Sequence, residues 1–576
     1  MLSNNKIRKI DDSVVKEISQ KTTHLMRGKA LAGSHMNFAL AYLAYIALKN
    51  GIDNGKDLFS FIEENLSEQR VMFVQEVVGN NFESAIQLSE VFSEDELLAY
   101  LYAFSGEGFD RHTGGEYGTP ESLSKLALGI LDIKDHEHVA DFGSGAGNFI
   151  TLASREKEKT PIYGIEINSF SYEISKIRTE LFANHVELEL GDMFAIPSDR
   201  QFEKIFSNYP FGMKVINHRS GTAGAEYIDH LYQSIPGIRR VTSSDWIFNA
   251  LMVDHLTDSG KAVAIMTNGS TWNTLDEKLR EYFIKNGYIE AVIALPEKLF
   301  DSTSISTTMI VLSKGNHNIR MVDATHLCVQ GRRKNTLSDD NINHIINLIK
   351  EDGDEAKTVD FQTLKDNEFA LNPSRYLSRV EIKDGVAFGS LMKRITRGAP
   401  IKARTLDEMV SEEPTDTQYV MLSHIQNGMI EGELPYLKEI DPKLEKYCIG
   451  NRNLIFSKNS YPFKIAVAEV EDGKKLLGNG NLFIIELDED KVNPYYIQAF
   501  LNSDVGTAVL KSIVVGAVIP NISVKSLKEL MIPLPSMDKQ NEIATRYQAK
   551  QDEIKVLQYK MKKAQNDLRG VFGEVQ

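Results

Sequence analysis

The sequence predicts an α/β protein: a mainly parallel, doubly wound sheet, with a helical region before it and a smaller α+β region after it. Three changes of texture predict this. From about residue 135 to 315, short apolar runs ended by Gly, Asp or Asn alternate with longer helical patterns, as strands joined by helical crossovers do. Ahead of that stretch, Phe38-Ala39-Leu40-Ala41-Tyr42-Leu43 and Leu97-Leu98-Ala99-Tyr100-Leu101 hold helix formers without strand alternation. Near Val386 the chain becomes turn-rich, with β-type runs such as Leu482-Phe483-Ile484-Ile485. The 576 residues are too many for one core, and these changes divide them into 1–105, 106–385, 386–540 and a closing helix over 541–576.

In order along the chain, the candidate strands are His138-Val139-Ala140, Ile162-Tyr163-Gly164-Ile165, Lys204-Ile205-Phe206, Ala262-Val263-Ala264-Ile265 and Ala291-Val292-Ile293. The longest apolar run, Phe38 to Leu48, is too short to span a bilayer and reads as a buried helix. At the C-terminus Ile554, Leu557, Met561, Ala564, Leu568 and Val571 recur at alternating steps of three and four. That is a heptad seam, which asks for a partner helix; an amphipathic helix packed on its own domain is the alternative.

Composition narrows the function classes. Cys328 and Cys448 are the two cysteines, and they supply neither a disulfide framework nor a four-ligand zinc site. No secretory signal pattern stands at the N-terminus. A cytoplasmic protein without metal or membrane attachment is expected. The net charge of −15 argues against indiscriminate nucleic-acid binding. Residues 386–576 carry 25 Lys and Arg against 25 Asp and Glu, so the whole excess lies in 1–385. The C-terminal third is therefore the less repulsive place for a polyanion.

The strongest local motif is Val139-Ala140-Asp141-Phe142-Gly143-Ser144-Gly145-Ala146-Gly147-Asn148-Phe149. A strand enters a glycine-rich turn and a helix follows, so the backbone can approach a ligand and present N–H donors. Dinucleotide-binding enzymes share that general shape. The next strand ends in Gly164-Ile165-Glu166-Ile167-Asn168, which sets a carboxylate at a strand end 25 residues after Asp141. Such an acid can accept both hydroxyls of a ribose, a charge-assisted interaction contributing roughly 1.5–3 kcal/mol. Gly191-Asp192-Met193-Phe194 follows with a second strand-end acid, suited to accept from an adenine amino group. Singly, each acid could be a helix cap or a solvated turn; in order at successive strand ends they point to a nucleoside.

The candidate strand Lys204-Ile205-Phe206 runs on through Ser207 into Asn208-Tyr209-Pro210-Phe211-Gly212. The order of glycine turn, Glu166, Asp192 and Asn-x-Pro-Phe resembles the amino-methyltransferases of DNA, whose tetrapeptide is Asn-Pro-Pro-Phe or Tyr. An exocyclic amine is a poor nucleophile because its lone pair is delocalised into the ring. Two oxygens accepting its protons push the nitrogen towards sp³ and aim the lone pair at a methyl donor. The resemblance implies S-adenosylmethionine as cofactor and a Rossmann-like catalytic domain. It implies Asn208 and the Tyr209 carbonyl as acceptors, with Phe211 stacked on a flipped base. Tyr209 stands where the family has proline.

More of the chain is similar to type I modification subunits. Gly114-Gly115-Glu116-Tyr117-Gly118-Thr119-Pro120 resembles their Gly-Glu-Phe-Tyr-Thr-Pro segment, with Gly118 in place of tyrosine, so Glu116, Thr119 and Pro120 carry over to the cofactor. Ile293-Ala294-Leu295-Pro296, Leu299-Phe300, Ser306 to Leu312 and Gly331-Arg332-Arg333-Lys334-Asn335 also fit. The implied cofactor set is Glu116, Thr119, Pro120, Asp141, Gly143, Gly145, Gly147, Asn148, Phe149, Glu166, Ile167, Asp192 and Met193.

The C-terminal segment resembles half of a type I specificity subunit, one target-recognition domain and one spacer helix. Gly516 to Ser523, Leu530-Met531-Ile532-Pro533-Leu534-Pro535 and Asn493-Pro494-Tyr495-Tyr496-Ile497 carry the likeness. Lys393, Arg394, Arg397, Lys402 and Arg404 form its densest cationic run and are candidates for phosphate contact, a solvated face being the alternative. The implied partners are double-stranded DNA and either a second copy or a specificity-like subunit joined through the closing helix. No Gly-x-x-x-x-Gly-Lys-Ser/Thr loop and no Pro-Asp dipeptide occur, so any cleavage would belong to a separate restriction subunit. Similar tetrapeptides occur in enzymes methylating glutamine of release factors or guanine of RNA, which are shorter and lack a recognition half. A catalytically inert DNA-binding relative is the other class of answer.

Overall fold

The computed structural model describes residues 12–25, 34–104, 118–183, 185–214, 221–235, 237–238, 243–300, 305–332, 334–377, 382, 384–458, 463–513 and 522–570. The chain divides into two compact units, one to Pro373 and one from Ser374. The second unit thus begins ahead of the composition change at Val386, whose own strand pairs within it.

Six helices open the first unit: α1 (Asp12–Leu25), α2 (Ser34–Asn50), α3 (Gly55–Asn65), α4 (Glu68–Val78), α5 (Phe82–Ser89) and α6 (Glu94–Ala103). Every residue from Phe38 to Ala47 in α2 is at most 6% exposed. A helix apolar on all sides must be enclosed, and α1, α4, α5 and α6 pack around it. α6 starts at a capping box, with Ser93 and Glu96 each satisfying the other's backbone N–H.

The sheet region follows as α7 (Glu121–Leu131), β1 (Val139–Phe142), α8 (Asn148–Glu156), β2 (Ile162–Glu166), α9 (Ser169–Phe182), β3 (Val186–Leu190), β4 (Phe202–Ser207), α10 (Ala223–Ser234), α11 (Asp245–Asp254), β5 (Leu256–Thr267), α12 (Glu277–Lys285), β6 (Ile289–Ala294), β7 (Thr307–Ser313), β8 (Asn318–Asp323), α13 (Asp339–Leu348) and β9 (Ala356–Asp360). Among the described residues the sheet has nine strands, in the order β3-β2-β1-β4-β5-β7-β6-β8-β9. Pairings from β3 through β5 and between β6 and β8 are parallel. β7 runs antiparallel to β5 and β6, and β9 to β8. The reversal of β7 was not legible beforehand: it is buried on both faces, and a solid apolar run reads the same in either direction.

The connections from β1 to β2 and on to β3 run to one side, while β4 lies on the other side of β1. That change of direction opens a crevice beyond the carboxyl ends of β1 and β4, where open α/β sheets bind ligands. One wall is stiffened by α9. Its Ile174, Ile177 and Phe182 share a core with the six opening helices. Arg70 of α4 donates to both oxygens of Glu180 at 2.6 and 3.1 Å and lies 3.5 Å from Glu173, both on α9.

In the second unit, Met392–Arg397, Leu482–Leu487, Leu454–Ser457 and Ile465–Val467 form an antiparallel sheet. Tyr436–Leu437, Thr417–Val420, Lys475–Gly478 and Cys448–Ile449 form another, in which Thr417–Val420 and Lys475–Gly478 run parallel. Gly385–Ala387 pairs with Met531–Pro533. The closing helix runs 34 residues, Met537–Gly570. Its first half is seated, with Gln540, Ala544 and Gln551 buried. Gln551 and Gln498 both donate to the carbonyl of Gly428, at a hairpin tip with φ of +75°. Beyond that point Ile554, Leu557, Met561 and Leu568 are 39, 57, 58 and 73% exposed. Val571 and residues 516–521 lie outside the described residues.

Candidate active site

Between β1 and α8 the turn takes Gly143, Gly145 and Gly147 into positive φ, at +76°, +54° and +78°. Gly147 is held to glycine twice over, because a Cβ there would fall 2.5 Å from Ser175 Oγ on α9. At Gly145 the backbone N–H donates to Glu166 Oε2 at 2.7 Å, and Asn168 N–H donates to Oε1 at 2.7 Å. The Glu166 carboxylate is 6% exposed, and burial raises its pKa against these two N–H donors. Asp141 lies behind it, 2% exposed, with its pKa pushed well up by burial and by the Glu166 charge.

An open cleft lies over this turn. Of the residues singled out in the sequence, Thr119, Gly143, Gly145, Asn148, Glu166, Ile167, Met193, Asn208 and Pro210 line it. Pro120 instead starts α7, Phe149 stacks on Phe206 at 4.2 Å in the core, and Asp192 caps a short turn through Phe194 N–H. Glu116 lies outside the described residues. The lining suits a nucleoside. Glu166 offers acceptors for hydroxyls, and Ile167, 69% exposed at the strand end, offers apolar surface to a flat ring. The Ser144 hydroxyl on the same wall is buried without a hydrogen-bond partner among the described residues.

Asn208 reaches this cleft from the end of β4. Its Nδ2 donates to Thr119 Oγ1 at 3.1 Å, and the Thr119 carbonyl accepts from Asn148 Nδ2 at 2.9 Å. Arg178 on α9 donates to Asn148 Oδ1 and to the Ala146 carbonyl. Burial lowers the Arg178 pKa to about 10. The glycine turn, Thr119 and Asn208 therefore belong to one hydrogen-bonded network. Tyr209 turns the other way: it is 1% exposed, stacks on Phe248 at 4.8 Å and donates its hydroxyl to Asn249 Oδ1 at 3.1 Å. Phe211 is 9% exposed and packs edge-on against Phe300 at 5.2 Å. Arg178 and Asn249 escaped the sequence reading, because a polar residue inside a helical pattern gives no sign of what it meets in the fold.

In the second unit the five cations are spread over two elements. Lys393 pairs with Asp488 at 3.7 Å, while Arg394 and Arg397 donate to the carbonyls of Lys446 and Gly480. Lys402 precedes a helix, Ala403–Met409, in which Arg404 lies 3.6 Å from Glu408. Lys458 was missed: burial and, after it, the Arg397 charge lower its pKa.

The family model described as N-6 DNA Methylase matches residues 96–385, and that of the type I restriction modification DNA specificity domain matches residues 399–560. The chain is 23% identical over 389 residues to the type I restriction enzyme MjaVIII methylase subunit of Methanocaldococcus jannaschii, covering 61% of this chain and 66% of that one. It is 25% identical over 312 residues to the MpnII methylase subunit of Mycoplasma pneumoniae, covering 49% of this chain and 56% of the relative. It thus spans less than two thirds of the length of either relative. A solved type I methyltransferase subunit from Streptococcus thermophilus aligns at 20% identity and a TM-score of 0.49, over 65% of this chain and 86% of that one. No helix among the described residues is long and apolar enough to cross a membrane. With its first model spanning half the chain and the second beginning at residue 399, the protein belongs to the N-6 DNA methylase family and carries a type I specificity domain fused behind the methylase.

Proposed function

We propose that the chain is a site-specific DNA methyltransferase that moves a methyl group from S-adenosylmethionine to N6 of adenine, within a restriction-modification or related defence system. The observation that carries this reading is the placement of Asn208 at the end of β4 on the same cleft as Glu166 and the glycine turn. Bound there, S-adenosylmethionine supplies an electrophilic methyl group and leaves as S-adenosylhomocysteine. Glu166 would accept its ribose hydroxyls, Ile167 would cover its adenine, and Asp192 would accept from the adenine amine. With Nδ2 donating to Thr119 Oγ1, the oxygen of the Asn208 amide would be the end left to accept from the target. That oxygen and the Tyr209 carbonyl would take the two N–H bonds of the target amine and localise its lone pair. Phe211 would stack on the flipped base once its ring turns from Phe300.

Tritiated methyl transfer to DNA, with RNA and protein as competing acceptors, tests the reading. Labelled N6-methyladenine in DNA is expected, and methylcytosine or label in RNA or protein alone would sink it. Glu166→Ala should weaken cofactor binding by roughly 1.5–3 kcal/mol, the contribution of hydrogen bonds to a charged group. Calorimetry showing wild-type affinity would take Glu166 out of the site.

The second unit would read one half-site, with Arg397, Lys458 and the neighbouring cations on phosphates. A second copy, or a separate specificity-like subunit, would cover the exposed heptad positions. A helix of this length spans about 50 Å, enough to hold two recognition units about one turn of DNA apart. Self-pairing is two-fold symmetric and predicts a palindromic bipartite site with an unread spacer. Leu557→Lys with Leu568→Lys should split the pair and weaken DNA binding while cofactor affinity is kept. Sedimentation of the wild type as a monomer on DNA, with a short asymmetric methylated site, would refute pairing.

A further inference from the structure

We propose that Tyr209 is a positioning residue whose buried side chain, anchored on Phe248 and Asn249, sets the direction of its own main-chain carbonyl towards the reacting amine. The inference rests on the reading of Asn208 and the Tyr209 carbonyl as the paired acceptors. Pro210 already restricts Tyr209 to extended backbone. That restriction narrows ψ without fixing it, and ψ decides where the carbonyl points. An extended residue whose side chain is held at two places loses the remaining freedom. The ring of Tyr209 stacks on Phe248 with the planes 23° apart, and its hydroxyl donates to Asn249 Oδ1. Both partners sit on α11, which packs on β5. Asn249 Nδ2 lies 3.7 Å from Met266 Sδ on β5, the strand paired with β4. The anchor therefore returns to the strand next to the one that carries the loop.

Packing alone does not account for the pair. Asn249 is fully buried and Tyr209 nearly so. A phenol and an amide each lose water on burial and need a partner in return. Phenylalanine and leucine would fill the same space, and such double replacement of a buried polar pair is close to neutral for stability. Burial also holds the Tyr209 hydroxyl far above its ordinary pKa, so it remains a neutral donor throughout the working range. What the polar pair adds over an apolar one is direction. In this chain tyrosine stands where the related tetrapeptide has its first proline, whose ring would fix φ; here the anchored side chain restrains the backbone at that position instead.

The test compares full-length wild type, Tyr209→Phe and the double variant Tyr209→Phe with Asn249→Leu. The single variant leaves the Asn249 oxygen without its donor and should unfold at lower urea; the double should regain most of that loss. In both, kcat for methylation of DNA should fall about tenfold to a hundredfold, as small misplacements of reacting groups do. Cofactor affinity and KM for DNA should stay within about twofold of wild type, since the side chain does not line the cleft. If kcat returns to the wild-type value together with stability in the double variant, the side chain serves packing only and the inference is overturned. If wild-type protein binds cofactor and methylates no DNA, the underlying reading of the two acceptors falls, and this inference with it.

Discussion

Alanine at Asn208 is expected to abolish methyl transfer while leaving cofactor and DNA binding in place. The loss should be at least about 10²–10³ in kcat, the effect of removing one preorganised partner of the developing charge. The geometry gives no substitute. Thr119 Oγ1 lies 3.1 Å from Nδ2, on the donor side of the amide, and its own backbone is tied through the carbonyl that accepts from Asn148. The side chains of Tyr209 and Phe211 are both buried and carry no acceptor that could take its place. Cofactor binding should survive because Glu166, Ile167 and the glycine turn stand on β1 and β2, and DNA binding because recognition is assigned to the second unit. Single-turnover methylation and equilibrium cofactor binding on the same preparation separate the two effects. Residual turnover near wild type would show that Asn208 is not the acceptor.

The second large effect is on stability. Arg70→Ala should destabilise the first unit by about 3–5 kcal/mol, as breaking a buried ion pair from one side does. Arg70 and Glu173 side chains are 7 and 3% exposed, so removal of the guanidinium strands the Glu173 carboxylate inside the protein. Glu180, 52% exposed, can be solvated and contributes less. Both tryptophans, Trp246 and Trp272, lie in the first unit, so selectively excited tryptophan fluorescence during urea denaturation reports that unit. Arg70→Met combined with Glu173→Gln should recover most of the loss. A single variant as stable as wild type would mean that the tie between α4 and α9 carries no weight.

Much of this was legible in the residues. Strand, glycine turn and following helix were readable from Val139 to Phe149, because three glycines and an apolar run impose that path locally. The acid at Glu166 was readable because it ends a strand. Asp192 was read as facing a ligand, and its carboxylate caps a turn; both roles need an acid at a strand end, so the residue type does not separate them. Phe149 was included by its nearness to the glycines, yet as the second residue of α8 it points into the core against Phe206. Tyr209 shows the deeper limit. Its carbonyl was assigned from the tetrapeptide, but the partners that hold its ring lie 39 and 40 residues on in sequence, at Phe248 and Asn249. Nothing local announces such a contact, since it exists only after α11 folds back over β4 and β5.

The closing helix is seated as far as Gln551 and exposed from Ile554 to Leu568, and pairing of that stretch with a second copy, as proposed above, would have a consequence for dose. Covering of that stretch by a second copy is second order in the chain, so the amount of paired protein would grow as the square of the total while the protein is scarce. DNA marking by such a pair would lag behind synthesis and then rise steeply. The amount of protein would act as a threshold, and a twofold change in expression near it would alter modification by more than twofold.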